Sequence, residues 1–354
     1  MELSERKQRI LSAIVEQYIA TGEPVGSKLL CAALGMTVSS ATIRNEMSEL
    51  AEMGLLDQPH TSAGRIPSHL GYRYYVDNLM NRYELGEEQR RRMEERMMIH
   101  AGDPEHLLEQ AGEILANITN CAAVTTTPKD ETAVIKKVDM MPIGHNNVML
   151  MLVTSNGIVR TRGYRMRSPI TSELLETFAS VTQSTFVGKP VEDINLVLIK
   201  RLAPLLGENS AVIQELLIAL AELAWDAAKE EILLEGQTNL LNHREYDDNA
   251  YELLNFLNQE DDVLSSLFSP QDSGAIHVII GRETEIPELE NSSIIMARYQ
   301  VSGHRGGTLG IIGPTRIDYA KMIPNIEYLT SLVSRLLSDA FGDGNQLSIG
   351  DGPR

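Results

Sequence analysis

An α+β chain of several domains, opening on a winged helix-turn-helix, is the fold class this sequence predicts, and three observations predict it. The 354 residues are too many for one ordinary compact core and call for roughly two or three domains. Between Pro24 and Pro67 a short helix, a turn at Gly35, a Ser-capped helix and a Gly/Pro-bounded hairpin follow one another, the order of a winged helix-turn-helix. Strand-like alternation then appears, gives way to a helix-rich block and returns near residue 276, the pattern of one domain with another inserted into it.

The first helix runs from Ser4 to about Ala20, because Ile10, Leu11, Ile14, Val15, Tyr18 and Ile19 recur at helical spacing on one face. Thr21-Gly22-Glu23-Pro24 stops it. A second helix from Gly26 or Ser27 to Leu34 turns Leu29, Leu30 and Ala33 inward, and Gly35 supplies the positive φ of a sharp turn. Thr37, Ser39 and Ser40 offer hydroxyls to cap the third helix, whose apolar side is Ile43, Met47 and Leu50. Ser40, Thr42, Arg44, Asn45 and Ser48 remain on or near its outward face. These are side chains that read DNA: Arg grips guanine and Asn adenine with paired hydrogen bonds, while hydroxyls bond phosphates or bases. They occupy the turns that enter the major groove in helix-turn-helix docking, beside backbone N–H groups suited to a phosphate. Glu46, Glu49 and Glu52 on the same helix point the other way, toward an ordinary solvated surface.

The hairpin from Gly54 to Pro67 forms the wing, with His60, Thr61 and Ser62 in its loop, Gly64 tightening it, and Arg65 placed for a phosphate or a minor groove. In the following block the tyrosines Tyr72, Tyr74 and Tyr75 pack the wing onto the domain rather than stack on bases. Arg73, among them, is counted with the DNA-contacting residues.

The formal charge of −18 runs against nucleic-acid binding, but its distribution does not. Residues 1–82 hold eight Lys/Arg against nine Asp/Glu, so nearly all the negative charge lies beyond them. The neutral end is the one that approaches a phosphate backbone without strong repulsion. Cys31 and Cys121 lie far apart, outside any ligand spacing, which fits a reducing compartment without disulfides or structural zinc. No apolar run reaches membrane-span length, and no apolar segment follows the charged start at Glu2, Glu5, Arg6 and Lys7, so the chain reads as cytoplasmic. The eight histidines are scattered, and neither a His-Glu-x-x-His nor a Gly-x-Ser-x-Gly pattern occurs; the reading is no enzyme, no metal and no cofactor.

Beyond the head, Glu84 to Met98 is a charge-dense helix with Glu87/Arg91 and Glu88/Arg92 at favourable spacing; Arg90-Arg91-Arg92 reads as a solvated connector before a DNA contact. A helix from Pro104 leads into strands at 122–127, 134–140, 148–154 and 158–164, the last two joined by Asn156-Gly157. Helices then cover 171–268, including 196–206 and a long one from Val212 to Leu234 that carries Trp225. Strands return at 276–280, 293–301 and 308–313, before a last helix around 323–341. The Gly-rich run Gly303 to Pro314 lacks a Gly-Lys-Ser/Thr ending and reads as a hairpin, not a phosphate loop.

The runs Ser40-Ala41-Thr42-Ile43-Arg44-Asn45-Glu46-Met47, His60 to Pro67 and Gly71 to Asp77 resemble the bacterial heat-inducible transcription repressor HrcA family. The resemblance continues in Leu234-Glu235-Gly236-Gln237-Thr238-Asn239-Leu240-Leu241 and in Gly310 to Tyr319, so it covers nearly the whole chain. It implies a sequence-specific, DNA-binding repressor of heat-shock chaperone operons, bound as a homodimer to an inverted repeat, released on heat stress and modulated by the GroE chaperonin. It also implies a GAF-like α/β domain split by an inserted helix-rich dimerisation domain. The expected division is a winged head at 1–82, a connector at 83–103, GAF-like parts at 104–170 and 272–342, the dimerising insertion at 171–271 and an unstructured tail at 343–354. A ligand-sensing or protein-interaction regulator built on the GAF-like domain is the competing reading.

Overall fold

A computed structural model describes residues 3–34, 39–60, 64–100, 103–127, 133–155, 157–202, 210–229, 231–259, 261–268 and 276–341. The expected turn at Gly35 and Thr37, the loop residues Thr61 and Ser62, Asn156 and the tail lie outside the described residues.

The N-terminal unit is built by local signals that agree. Helix α1 (Glu5–Thr21) starts on Ser4, whose hydroxyl accepts the Lys7 N–H, and stops at Gly22, where φ is 71°. It buries Ile10, Leu11, Ile14 and Val15. In α2 (Ser27–Leu34) only Ser27 and Leu30 are buried. Leu29 is 48% exposed and Ala33 is exposed too, a departure from the inward positions expected of them. Eight residues make barely two turns, and only Ser27 and Leu30, flanked by the partly buried Cys31 and Leu34, turn toward its neighbours. Helix α3 (Ser40–Glu52) starts on Ser39 and buries Ile43, Met47 and Leu50. The chain then forms an antiparallel ribbon of β1 (Leu56–Asp57) and β2 (Ile66–Pro67), extended by a bridge between Val25 and Arg65. That bridge requires glycine beside it: a Cβ on Gly64 would stand 2.4 Å from the Val25 carbonyl oxygen. Helix α4 (His69–Asn78) buries Tyr72 and Tyr75, so the tyrosine block packs.

Helix α5 (Glu87–Met98) follows, its Arg92 paired with Glu88 at 2.9 Å and its Arg91 shared between Glu88 and Glu95. The body behind it is a five-stranded antiparallel sheet in the order β7-β3-β10-β9-β8. Its strands are β3 (Ala122–Thr126), β7 (Ile232–Glu235), β8 (Ile276–Ile280), β9 (Ser292–Val301) and β10 (His304–Pro314). Helices cover both faces, which is why the interior strand β9 is buried almost along its length. Ile295, Ala297 and Tyr299 meet α6 (Pro104–Thr119) and α12 (Tyr319–Phe341). Ile294 and Met296 meet α10 (Ala250–Gln259) and α11 (Asp261–Leu267) on the other side. The glycine-rich run is the β9–β10 hairpin, turning at Ser302 and Gly303 with φ of 52° and 80°.

A second antiparallel sheet, β4-β5-β6, has its own core. Strands β4 (Ile135–Pro142), β5 (Asn147–Thr154) and β6 (Val159–Arg165) pair with one another and, among the described residues, with no strand of the larger sheet. Val148, Leu150 and Leu152 of β5 pack on α7 (Ser172–Thr185), α8 (Leu196–Leu202) and α9 (Ser210–Ala228). This unit leaves and rejoins the body at neighbouring strands, since β3 pairs with β7. The boundaries drawn from the sequence therefore shift at both ends. Of the strands expected in the first body segment, that at 122–127 lies in the larger sheet while the other three form the smaller one, and 232–268, expected in the insertion, packs with the larger sheet. The long helix expected to reach Leu234 ends at Ala228, and Leu233 and Leu234 are strand residues opposite Thr125 and Val124. Alternation identifies a strand but not its sheet, because pairing is a non-local choice. Among the described residues no helix is long and apolar enough to cross a membrane.

Candidate nucleic-acid interface

Arg44 and Asn45, in the first two turns of α3, are exposed, and neither has a side-chain partner among the described residues. Their neighbours shape the helix instead of competing for them. Ser39 caps it by accepting the Thr42 N–H at 3.2 Å, and its hydroxyl lies 3.1 Å from the Thr42 hydroxyl. Ser48 turns back to donate to the Arg44 carbonyl at 3.1 Å. Ser40 and Thr42 are half-buried at the helix start. The arrangement leaves a guanidinium and a carboxamide standing free beside a helix N-terminus, with the donors that base edges and phosphates accept.

Two of the three glutamates that speak against an anionic ligand are turned away from it. Glu46 receives Lys7 at 2.9 Å and Arg6 at 3.4 Å, and Glu49 receives the same lysine at 2.8 Å. Hydrogen bonds donated to Glu49 and Glu46 raise the Lys7 ammonium above its ordinary value, so the cation persists wherever the carboxylates are charged. These cations on α1 thereby offset the negative charge of α3 on the side opposite Arg44.

On the ribbon, His60 is exposed and Arg65 is half-buried. Arg65 is held by its backbone, which exchanges two hydrogen bonds of 2.9 Å with Val25, while its Nε is buried without a hydrogen bond among the described residues.

Arg73 does not belong to this face. Its Nε donates to Glu283 Oε1 at 2.9 Å, its Nη2 reaches Glu283 Oε2 and the Val278 carbonyl, and its Nη1 lies 3.3 Å from Asp77. With four of its five N–H groups engaged in this way the guanidinium docks the head on the body, and the DNA contact expected of this residue finds no support here. Nothing near Arg73 in sequence announces this, because Glu283 is 210 positions away.

Sequence reasoning also missed the partners on the body side of this junction. Arg316, just after β10, donates from Nη1 to the Ile19 carbonyl in the last turn of α1 at 2.9 Å and from Nε to Glu245 at 2.5 Å. Tyr72 and Tyr319 bring their rings to 6.0 Å between centroids. Tyr83 N–H donates to the Ala320 carbonyl at 3.0 Å. The signal available was that Arg316 lies in the Gly310–Tyr319 run, which had no role assigned.

Comparison with known proteins gives this geometry a context. The family model described as "HrcA protein C terminal domain" matches residues 105–323. A heat-inducible transcription repressor HrcA of Desulforamulus reducens is 37% identical over 342 residues, 95% of this chain and 98% of that protein. One from Desulforudis audaxviator is 37% identical over 345 residues, 96% of this chain and 100% of its own. A crystal structure described as that of a hypothetical protein at 2.2 Å resolution shares the fold at a TM-score of 0.69 and 24% identity, covering 96% of this chain and all of the other. With such identity along almost its entire length, the chain belongs to the heat-inducible transcription repressor HrcA family.

Proposed function

We propose that this chain is a sequence-specific transcriptional repressor of heat-shock genes and that its N-terminal unit is a winged helix-turn-helix. In this reading α3 enters the major groove, the ribbon is the wing, and Arg44 and Asn45 meet base edges. The observation that carries it is the pair of free side chains at the start of α3, on a helix two of whose three glutamates are neutralised from behind. Ser40, Thr42, Ser48, His60, Thr61, Ser62 and Arg65 complete the interface as phosphate and flanking contacts, in the manner in which such groups position a reading helix.

One such helix covers only a few base pairs, so the operator is an inverted repeat read by a homodimer. The body is a GAF-like domain split by the inserted unit, through which the two chains associate; Leu196, Val197 and Trp225 are exposed there, Trp225 by 65%. The GroE chaperonin is the modulating partner and heat stress the releasing signal, both carried over from the family resemblance.

Gel-shift titration against duplexes from chaperone-operon promoters tests the reading. Binding is expected to weaken on the order of a thousandfold between 50 and 200 mM salt if about six phosphates are neutralised. Binding that is insensitive to salt, or equal on every duplex, refutes it.

A further inference from the structure

Arg316 and Arg73 touch no face that meets DNA, yet both are spent on the junction between head and body. The Arg316 guanidinium lies against Gly22, where a Cβ would stand 3.4 Å from its Cζ, and it caps the carbonyl end of α1 while Glu245 holds it from the body. A cation there satisfies a carbonyl the helix cannot bond internally and complements the helix dipole. Arg73 makes the equivalent joint on α4, to Glu283 and the Val278 carbonyl. Between them lies the Tyr72–Tyr319 contact. Apolar contact is non-directional and permits sliding, whereas forked guanidinium hydrogen bonds fix an angle. Arg316 lies within the run Gly310–Tyr319, and Glu245 four residues after the run Leu234–Leu241, both of which carry the family resemblance.

We infer that Arg316, through Glu245 and the Ile19 carbonyl, and Arg73, through Glu283, are positioning residues that set the angle of α3 on the body. In a dimer that angle sets the distance between the two reading helices, and hence the spacing of half-sites the protein accepts. The inference rests on the proposed DNA-reading function, and two readouts separate the two.

The first readout needs no DNA. Spin labels on the intact chain at Ser48→Cys and Lys321→Cys, in spin-diluted samples, report the head-to-body distance by electron–electron resonance. A distribution that broadens in Arg316→Ala, less in Arg316→Lys, and in Glu245→Gln supports the joint; one unchanged in all three overturns it. The second uses inverted repeats enriched from random duplexes by the wild-type chain, with spacers lengthened one base pair at a time, beside a duplex bearing a single half-site. Arg316→Ala is expected to bind the half-site within about twofold of wild type, to lose about 10- to 100-fold on the preferred repeat, and to flatten the spacer profile, as loss of pre-set geometry between two linked sites requires. A wild-type spacer profile in that variant, or equal loss on half-site and repeat, overturns the inference. Enrichment of no repeat by the wild-type chain refutes the DNA-reading function and leaves the distance measurement to decide the joint.

Discussion

The exposed face of α3 and the docking face of α4 carry arginines of the same kind, 29 positions apart in one small unit, with opposite surroundings. Arg44 stands in solvent without a carboxylate within reach among the described residues. Arg73 meets Glu283, Asp77 and a carbonyl. The difference teaches that an arginine's task is set by what the rest of the chain brings to it. On α3 the acids are drawn off by Lys7 and Arg6 from the back of the helix, and on α4 an acid from the far end of the sequence is delivered to the front.

The comparison breaks most easily at Arg44. Arg44→Ala is expected to cost about 1–3 kcal/mol of discrimination between operator and unrelated duplex, measured by competition binding, because a paired guanidinium–base contact is lost. Arg73→Ala should do the reverse, leaving base preference intact while lowering stability by about 1–2 kcal/mol, less than for a fully buried pair because Arg73 is 24% exposed. Urea unfolding followed by circular dichroism checks it, and equal loss of base preference in both variants removes the distinction drawn here. Ser39→Ala removes the α3 cap and should cost about 1 kcal/mol in the same unfolding assay. Nearly unchanged stability there would show that packing alone holds the helix start.

The smallest effect is one of pH. Partial burial pushes the Glu283 carboxyl up, but hydrogen bonds from Arg73 and from the Ile280 N–H outweigh it and hold the group below its ordinary value. A carboxylate depressed in the folded state stabilises above its unfolded pKa, and that contribution fades as pH falls through the lower folded value. The gap in melting temperature between the wild-type chain and Glu283→Gln should therefore be constant near neutrality and close below about pH 4. A gap that persists in acid would place the stabilisation elsewhere.

What was legible in the sequence is what is local. Ile43, Met47 and Leu50 fix the inward face of α3 by their spacing, and Arg44 and Asn45 fall outward as a consequence. The body strands at 122–126, 276–280 and 292–301 were likewise found within a residue of their ends, whereas β10 starts four residues before the expected 308 and β7 was read as helix. The unreadable part is pairing across long separations: Arg73 with Glu283, Arg316 with Ile19 and Glu245, and β3 with β7 across an intervening unit. Leu29 shows the same limit on a smaller scale, since an apolar residue on a short helix turns inward only where a neighbour covers it.

A footprint of the intact protein on chaperone-operon promoters tests the central claim most directly, because it reports DNA contact, two-fold symmetry and target together. The account predicts protection of two symmetry-related half-sites that vanishes with Arg44→Ala, while Arg73→Ala protects the same half-sites at a higher protein concentration. No protected segment on any such promoter, or protection that Arg44→Ala leaves unchanged, would contradict it.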